Sequence, residues 1–316
     1  MTRELMLLRH AKSDWTTAVD DFDRPITDPG KRGIQRLGVW LAQQSMQPDF
    51  VVSSPAERAW ITTEKTIKAM GRGIDDVETD ERIYNADLAT LLAVLADVPD
   101  TAERTLLVGH NPGMEDLIDH LDRPGMLERV PTGTLTRLTM PDDWSSLSAG
   151  CATVEQVVRS KALPEGFPYP GPHGTERRPR PSYYYTQSAV IPYRFDGDQL
   201  QVMVVASSKK KHLVVPKGIQ TPGMTAQASA AKEALEEAGV LGVVGDESLG
   251  SYDYTKWGAT VTCTVYPMRV TEVIPEADWE ERHRGRDWLP AADASERLKQ
   301  PELGPMVLAL AEQLAR

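Results

Sequence analysis

The 316-residue chain is poor in cysteine and aromatic residues, with two cysteines, four phenylalanines and an aromatic share of 6%. No apolar run approaches the roughly 18 to 20 residues that a membrane-spanning helix needs, which argues against a membrane protein. Cys151 and Cys263 fall one in each half, which excludes a disulfide framework and fits a reducing cytoplasm. The opening stretch MTRELMLLRHAKSDW has too short an apolar run and the wrong flanks for a secretory leader, so a cytoplasmic location is expected. An excess of positive charge is also missing. The net charge is -11, with 18 basic against 26 acidic residues up to residue 161 and 17 against 20 from residue 162. Neither half carries the basic footprint of a protein that binds a nucleic-acid polymer. Internal repeats and the glycine-rich loops GxGxxG and GxxxxGK[ST] are absent as well.

Residues 162–182, ALPEGFPYPGPHGTERRPRPS, hold six prolines and three glycines with no apolar period. They read as a Pro/Gly/Arg-rich linker between a domain over 1–161 and another over 183–316. Each half is long enough to bury its own core. In the first, apolar runs at 5–8, 50–52 and 105–108 alternate with helical patterns over 31–44, 56–70 and 88–96. That order predicts an α/β fold of three layers, α/β/α, around a mostly parallel sheet. In the second, strand-like SAVIPYRF, QLQVMVVAS, HLVVP and ATVTCTVYPMRV accompany helical patterns over 226–238, 291–298 and 305–315. A mixed sheet sandwiched by helices is expected there.

Two histidines in the first half sit at strand ends. Arg9 and His10 follow ELMLL, and His110 follows TLLVG, so both imidazoles should emerge at the carboxyl edge of a parallel sheet, where open α/β folds place ligands. Arg58, in VVSSPAERAWITTE, lies past another strand end at a helix start, whose amides and dipole favour an anion. A neutral imidazole can attack phosphorus, while arginine forks and a second histidine stabilise the charge on the phosphoryl oxygens. His10 is therefore the expected nucleophile, with Arg9, Arg58 and His110 as clamp. His120, His173, His212 and His283 have no such company and read as surface or structural residues.

The segments LLRHAKSDW, DRPITDPGKRG, SSPAERAWITTE and VGHNPG resemble the histidine phosphatase superfamily in its short, SixA-like branch. The resemblance implies a phosphohistidine intermediate, no cofactor in this domain and a phosphate contact from Arg24. Ala11 stands where the family pattern has glycine. The proton donor to the leaving group is open, with Glu81 the first candidate and Asp87 the second.

The second half carries the glycine turn and helix GIQTPGMTAQASAAKEALEEAGV, residues 218–240. Glu233, Glu236 and Glu237 are spaced i, i+3 and i+4 and so share one helical face. Like charges crowded in this way destabilise a helix unless cations fill the space, so the stripe reads as a plate for divalent metal. The segment resembles the Nudix box, with Met224 at the position of its first glutamate and Lys232 at the position of its arginine. By that resemblance Mg²⁺ or Mn²⁺ is held by Glu233, Glu236, Glu237 and the Gly218 carbonyl, and Glu236 belongs to the catalytic set. A further glutamate, Glu276, Glu280 or Glu281, is left open as base.

The flanking order SSKKKHLVVPKGIQTPGM, EEAGVLGVVG and TEVIPEADWEERHRGRDWLPAADA resembles the diphosphoinositol polyphosphate and diadenosine polyphosphate hydrolase branch. Lys209, Lys211 and Lys217 are then candidate contacts to a ligand with many phosphates. Tyr183, Tyr184 and Tyr185 could stack on a base or pack the linker. The expected function is a bifunctional phosphohydrolase: a Nudix domain that splits a phosphoanhydride of a polyphosphorylated metabolite, and a phosphatase domain that removes phosphoryl groups. Two alternatives stand beside it. One is a phosphatase acting on a phosphohistidine protein, paired with an independent nucleotide-sanitising Nudix domain; the other is a ligand sensor or scaffold with one degenerate site. Self-association into a homo-oligomer is left open.

Overall fold

A computed structural model describes residues 3–125, 129–141, 143–145, 147–171 and 174–315, so that His173 lies outside the described residues. The chain divides into two compact units, Met1–Arg177 and Arg178–Arg316.

In the first unit, strands β1 (Arg3–Arg9), β2 (Phe50–Ser53), β3 (Val77–Thr79) and β4 (Arg104–Gly109) run parallel in the order β3-β2-β4-β1. Strand β5 (Thr134–Met140) pairs antiparallel with β1, and β6 (Thr153–Arg159) pairs antiparallel with β5. Helices α1 (Asp28–Gln43) and α2 (Glu57–Ala69) pack on one face, and α3 (Leu88–Ala96) and α4 (Gly113–Leu121) on the other. Strand β1 shows why its sequence is an unbroken apolar run. Leu5 and Leu7 join the core under α3 and α4, while Met6 and Leu8 join the core under α1 and α2. A central strand is covered on both faces, so alternation of apolar and polar residues disappears. Each such side chain contributes about 1.5–3 kcal/mol by leaving water. Thr27 caps α1, its hydroxyl accepting from the Gly30 amide at 3.2 Å.

Residues 162–182, expected as an extended linker, carry a two-stranded ladder of β7 (Phe167–Gly171) and β8 (Gly174–Arg178). Pro168 and Pro170 fit there because a two-stranded ribbon is all edge, and an edge strand tolerates a missing N–H.

The second unit is built on β9 (Thr186–Asp196), β10 (Gln199–Ala206), β11 (Leu213–Val214), β12 (Lys217–Ile219), β13 (Val240–Val244), β14 (Gly250–Lys256), β15 (Ala259–Val273) and β16 (Arg286–Pro290). Strands β9 and β15 pair parallel and the other pairings are antiparallel, a mixed sheet as expected. Helix α5 (Ala226–Ala238) packs on one face through Ala230, Ala234 and Ala238. Helices α6 (Ala291–Arg297) and α7 (Leu303–Leu314) pack on the other. Thr225 caps the start of α5, and Gly239 ends it in the left-handed conformation at φ 60° that glycine adopts without a Cβ penalty. No helix among the described residues is long and apolar enough to cross a membrane.

Two candidate phosphate-handling sites

Strands β1 and β4 are neighbours in register, with Arg9 opposite Gly109. The residues that follow each strand therefore leave one sheet edge side by side, and the His10 and His110 rings stand 5.1 Å apart between centroids. His10 Nδ1 lies 2.8 Å from the Ala11 carbonyl oxygen. A carbonyl can only accept, so Nδ1 donates its proton and Nε2 keeps its lone pair. The backbone around this ring is pinned on both sides. The His10 amide donates to the Gly109 carbonyl at 3.1 Å, and the Gly133 amide donates to the carbonyls of Arg9 and His10 at 3.1 and 3.0 Å. The Ala11 amide donates to Thr62 Oγ1 at 2.9 Å. His110 Nε2 pairs with Ser54 Oγ at 2.9 Å.

Three arginines surround the pair. Arg58, in the first turn of α2, and Arg24 are 4% and 7% exposed, and both bind the Asp21 carboxylate. Arg58 Nη2 is 2.9 Å from Asp21 Oδ2, and Arg24 Nη2 is 2.7 Å from Oδ1. The Tyr84 hydroxyl donates to the same carboxylate at 2.9 Å, and its ring meets His110 edge-on at 5.7 Å. Arg9 Nη1 donates to the Val130 carbonyl at 2.6 Å. Arg9, Arg24 and Arg58 each retain a buried Nε without a partner, and His110 retains a buried Nδ1 in the same condition. Buried polar atoms left unpaired are rare, and such a set makes this cluster a candidate site for an anion. Burial first, then the fields of Arg58, Arg9 and Arg24, outweighs the Ala11 hydrogen bond and lowers the His10 pKa to about 4. Burial, the neighbouring His10 and Arg58 lower His110 to about 3. Both rings are neutral at pH 7.

The two proton-donor candidates are not among the hydrogen-bonded residues just described. Glu81 is exposed in the short turn Glu81–Ile83, and Asp87 caps α3 by accepting from the Thr90 amide at 2.9 Å.

In the second unit, β12 runs beside the carboxylate face of α5. A Cβ on Gly218 would overlap the Glu233 carboxylate, so only glycine lets that group lie against the strand. Glu237 is 7% exposed, accepts from the Lys217 amide at 3.0 Å and pairs with Arg284 at 2.7 Å. Burial, then the charges of Glu237 and Glu236, pushes the Glu233 pKa up to about 7. Burial also raises Glu237, against the Lys217 amide and the charges of Lys217 and Arg284. Glu236 turns to Lys232, the box residue in the arginine position, at 3.3 Å.

Beside these glutamates is a cavity of about 520 Å³ lined by Lys217, Gly218, Glu233, Glu237, Lys256 and Trp257 among others. Ser207 and Ser208 line it from the loop that also carries Lys209 and Lys211, which are themselves exposed and outside the lining. Tyr184 and Tyr185 stack edge-on against Trp257, at 5.3 and 6.3 Å. Glu281 pairs with Arg284, and its amide donates to the Glu236 carbonyl at 3.3 Å.

A model of the histidine phosphatase superfamily (branch 1) matches residues 5–111. A protein of Mycobacterium tuberculosis is 30% identical over 157 residues, which are 46% of this chain and 96% of that one. Nudix hydrolase 12, mitochondrial, of Arabidopsis thaliana is 32% identical over 145 residues, 39% of this chain and 70% of that one. The chain belongs to the Nudix hydrolases, and its residues 5–111 are similar to the histidine phosphatase superfamily. A solved structure assigned as the phosphohistidine phosphatase SixA of Agrobacterium tumefaciens is 27% identical; the match covers 50% of this chain and 98% of that one, with a TM-score of 0.44.

Sequence reasoning missed several residues of both sites. In the histidine phosphatase domain these are Asp21, Ser54, Thr62 and Tyr84, none of which carries a local pattern that would single it out. In the Nudix domain, Lys256, at the end of β14, and Arg284, in a short turn before β16, lie far from the box in sequence. Trp257 had one legible signal: it precedes Gly258 in a two-residue turn between β14 and β15, with φ of 51° and 71°. A tryptophan at positive φ is a costly choice for a hairpin turn.

Proposed function

We propose that the chain is a bifunctional phosphohydrolase whose substrates are small, polyphosphorylated molecules. The unpaired Nε atoms of Arg9, Arg24 and Arg58 around two neutral histidines carry the phosphatase half of this reading. His10 Nε2 attacks phosphorus, forming a P–N bond as the bond to the leaving group breaks. The Ala11 carbonyl holds the ring's other proton through the step. The arginines and His110 take the charge on the phosphoryl oxygens. Water then attacks the phosphohistidine, the P–N bond breaks, and phosphate leaves with His10 restored. Glu81 is the first candidate for proton donor in this reading and Asp87 the second, on the segment that also carries Tyr84.

For the Nudix half, three carboxylates and a backbone carbonyl form a donor set that suits a hard divalent cation. Among the described residues no three acidic, His or Cys side chains already converge on one point. Glu236 pairs instead with Lys232, whose side chain is 49% exposed. A surface pair of this kind is worth about 0–1 kcal/mol and yields readily to a stronger cation. Glu233, Glu236, Glu237 and the Gly218 carbonyl would hold Mg²⁺ or Mn²⁺, which supplies charge neutralisation for a phosphoanhydride. Lys217 and Lys256 line the same cavity and bind the remaining phosphates.

A phosphate-release panel of diphosphoinositol phosphates, dinucleoside polyphosphates, nucleoside triphosphates and phosphohistidine, with Mg²⁺ or with chelator, tests the reading. His10→Ala should remove the chelator-resistant release and Glu236→Gln the Mg²⁺-dependent release. If either variant leaves both activities intact, the corresponding half is wrong; exclusive turnover of phosphohistidine would replace the small-molecule substrate.

A further inference from the structure

A second cavity of about 290 Å³ opens at the same sheet edge as His10, on the β5 side, away from His110. The topology explains the position. Strand β5 is antiparallel to β1, so its first residue, Thr134, and the preceding Gly133 lie at the edge where β1 ends. Strand β6 returns to that edge, with Thr134 opposite Arg159. The start of α1 completes the wall with Pro29, Gly30 and Gly33.

Four cations line this space: Lys12, Arg36, Arg159 and Lys161. No carboxylate is among its described lining residues, in a chain whose net charge is -11. Like charges gathered without counter-charges raise the local potential and favour an anionic ligand. A second, independent sign comes from a neutral side chain. Thr134 lines the cavity, is 1% exposed, and its hydroxyl has no hydrogen-bond partner. Arg36 likewise keeps a buried Nε unpaired. Burying such groups costs free energy unless something fills them.

Resting on the phosphatase reading above, we infer that this cavity holds a second phosphate group of the molecule whose first phosphoryl group His10 removes. The coupling to the reacting centre is direct. Ala11, which follows His10, lines the cavity, and the Gly133 amide in its wall donates to the His10 carbonyl. The class of substrate is therefore a bis- or polyphosphorylated small molecule, with two phosphates held on either side of the β1 end. Positioning of the first phosphate uses binding energy from the second.

The test uses the full chain in chelator, so that the metal-dependent domain is silent. Kinetics are measured on p-nitrophenyl phosphate and on alkanediol bisphosphates of increasing length. The wild type should favour one bisphosphate length over the monophosphate in kcat/KM. The double variant R159Q/K161Q should raise KM for that bisphosphate about 10-fold, as expected for loss of charged hydrogen bonds, with far less effect on the monophosphate. Thr134→Val, which keeps every cation, should raise the same KM by a smaller factor. Equal shifts for both substrates, or none for the bisphosphate, would overturn the proposal.

Calorimetric binding of inorganic pyrophosphate to the His10→Ala chain, again in chelator, separates the cavity from the chemistry. Binding should weaken in R159Q/K161Q and with rising salt. An unchanged isotherm removes the cavity site. Loss of binding in a protein that shows no His10-dependent turnover keeps the cavity and removes the phosphatase reading.

Discussion

The Glu233 carboxylate occupies the space that a Cβ on Gly218 would fill. Helix α5 and strand β12 are thereby locked at a separation that only glycine permits. Gly218→Ala should push Glu233 away and lower Mg²⁺-dependent turnover by about 100-fold, the usual effect of an ångström-scale misplacement. Chelator-resistant phosphate release should stay unchanged in the same preparation. Full Mg²⁺-dependent activity in this variant would show that Glu233 needs no such placement.

The raised pKa of Glu233, about 7 against an ordinary 4.5, carries a stability consequence in metal-free protein. Between these values the folded chain binds a proton that the unfolded chain has released. Stability contributed by this group is therefore lost as pH rises through the window from 4.5 to 7. Glu233→Gln should stabilise the metal-free chain at pH 8 by on the order of 2 kcal/mol, read as a shift in urea midpoint. Equal midpoints at pH 8 would contradict the crowding of carboxylates on this face.

The two histidines shift the other way. An ordinary imidazole titrates near 6.5, whereas His10 titrates at about 4 and His110 at about 3. The unfolded chain holds protons through this window that the folded chain does not, so stability falls as pH drops from 6.5 towards 4. NMR titration of the imidazole carbons should show both rings neutral down to about pH 5. A midpoint near 6.5 for either ring would mean that its burial or its arginine neighbours are misplaced.

Asp21 ties Arg24 to Arg58 through one carboxylate. Asp21→Asn leaves two buried guanidinium groups without a counter-charge, at a cost on the order of 2 kcal/mol. The variant should melt several degrees lower in phosphate-free buffer and recover more stability from added phosphate than the wild type does. Melting curves that respond equally to phosphate would place Asp21 outside the anion site.

Much of this was legible in the sequence. The run ELMLL reads as a buried strand because both its faces meet helices, and the stripe Glu233, Glu236 and Glu237 follows from helical spacing alone. His10 and His110 were placed correctly by the rule that parallel strands end at the ligand edge. The antiparallel pair β5 and β6 was not seen, because β6 is a half-exposed edge strand whose residues alternate without a continuous apolar face. The ladder within residues 162–182 was hidden by its prolines. Asp21 and Tyr84 could not be read because their importance comes from long-range contacts across 63 residues.

Trp257 sits at φ 51° and faces the Nudix cavity. Asparagine accepts that conformation with less strain, so Trp257→Asn should stabilise the hairpin by about 1 kcal/mol. The same change should raise KM for the Mg²⁺-dependent reaction, because the cavity loses its aromatic wall. A variant that is more stable with an unaltered KM would make the strain unrelated to substrate.

Strand β1 inserts Leu5 and Leu7 into one core and Met6 and Leu8 into the other, then ends at Arg9, with His10 the next residue. The proposed nucleophile thus hangs from a beam clamped by both helix layers, and it cannot move without disturbing both. Repacking of either layer, however far from phosphate, will register first as altered turnover. Suppressors of such changes should then arise in the opposite layer, across the sheet from the original lesion.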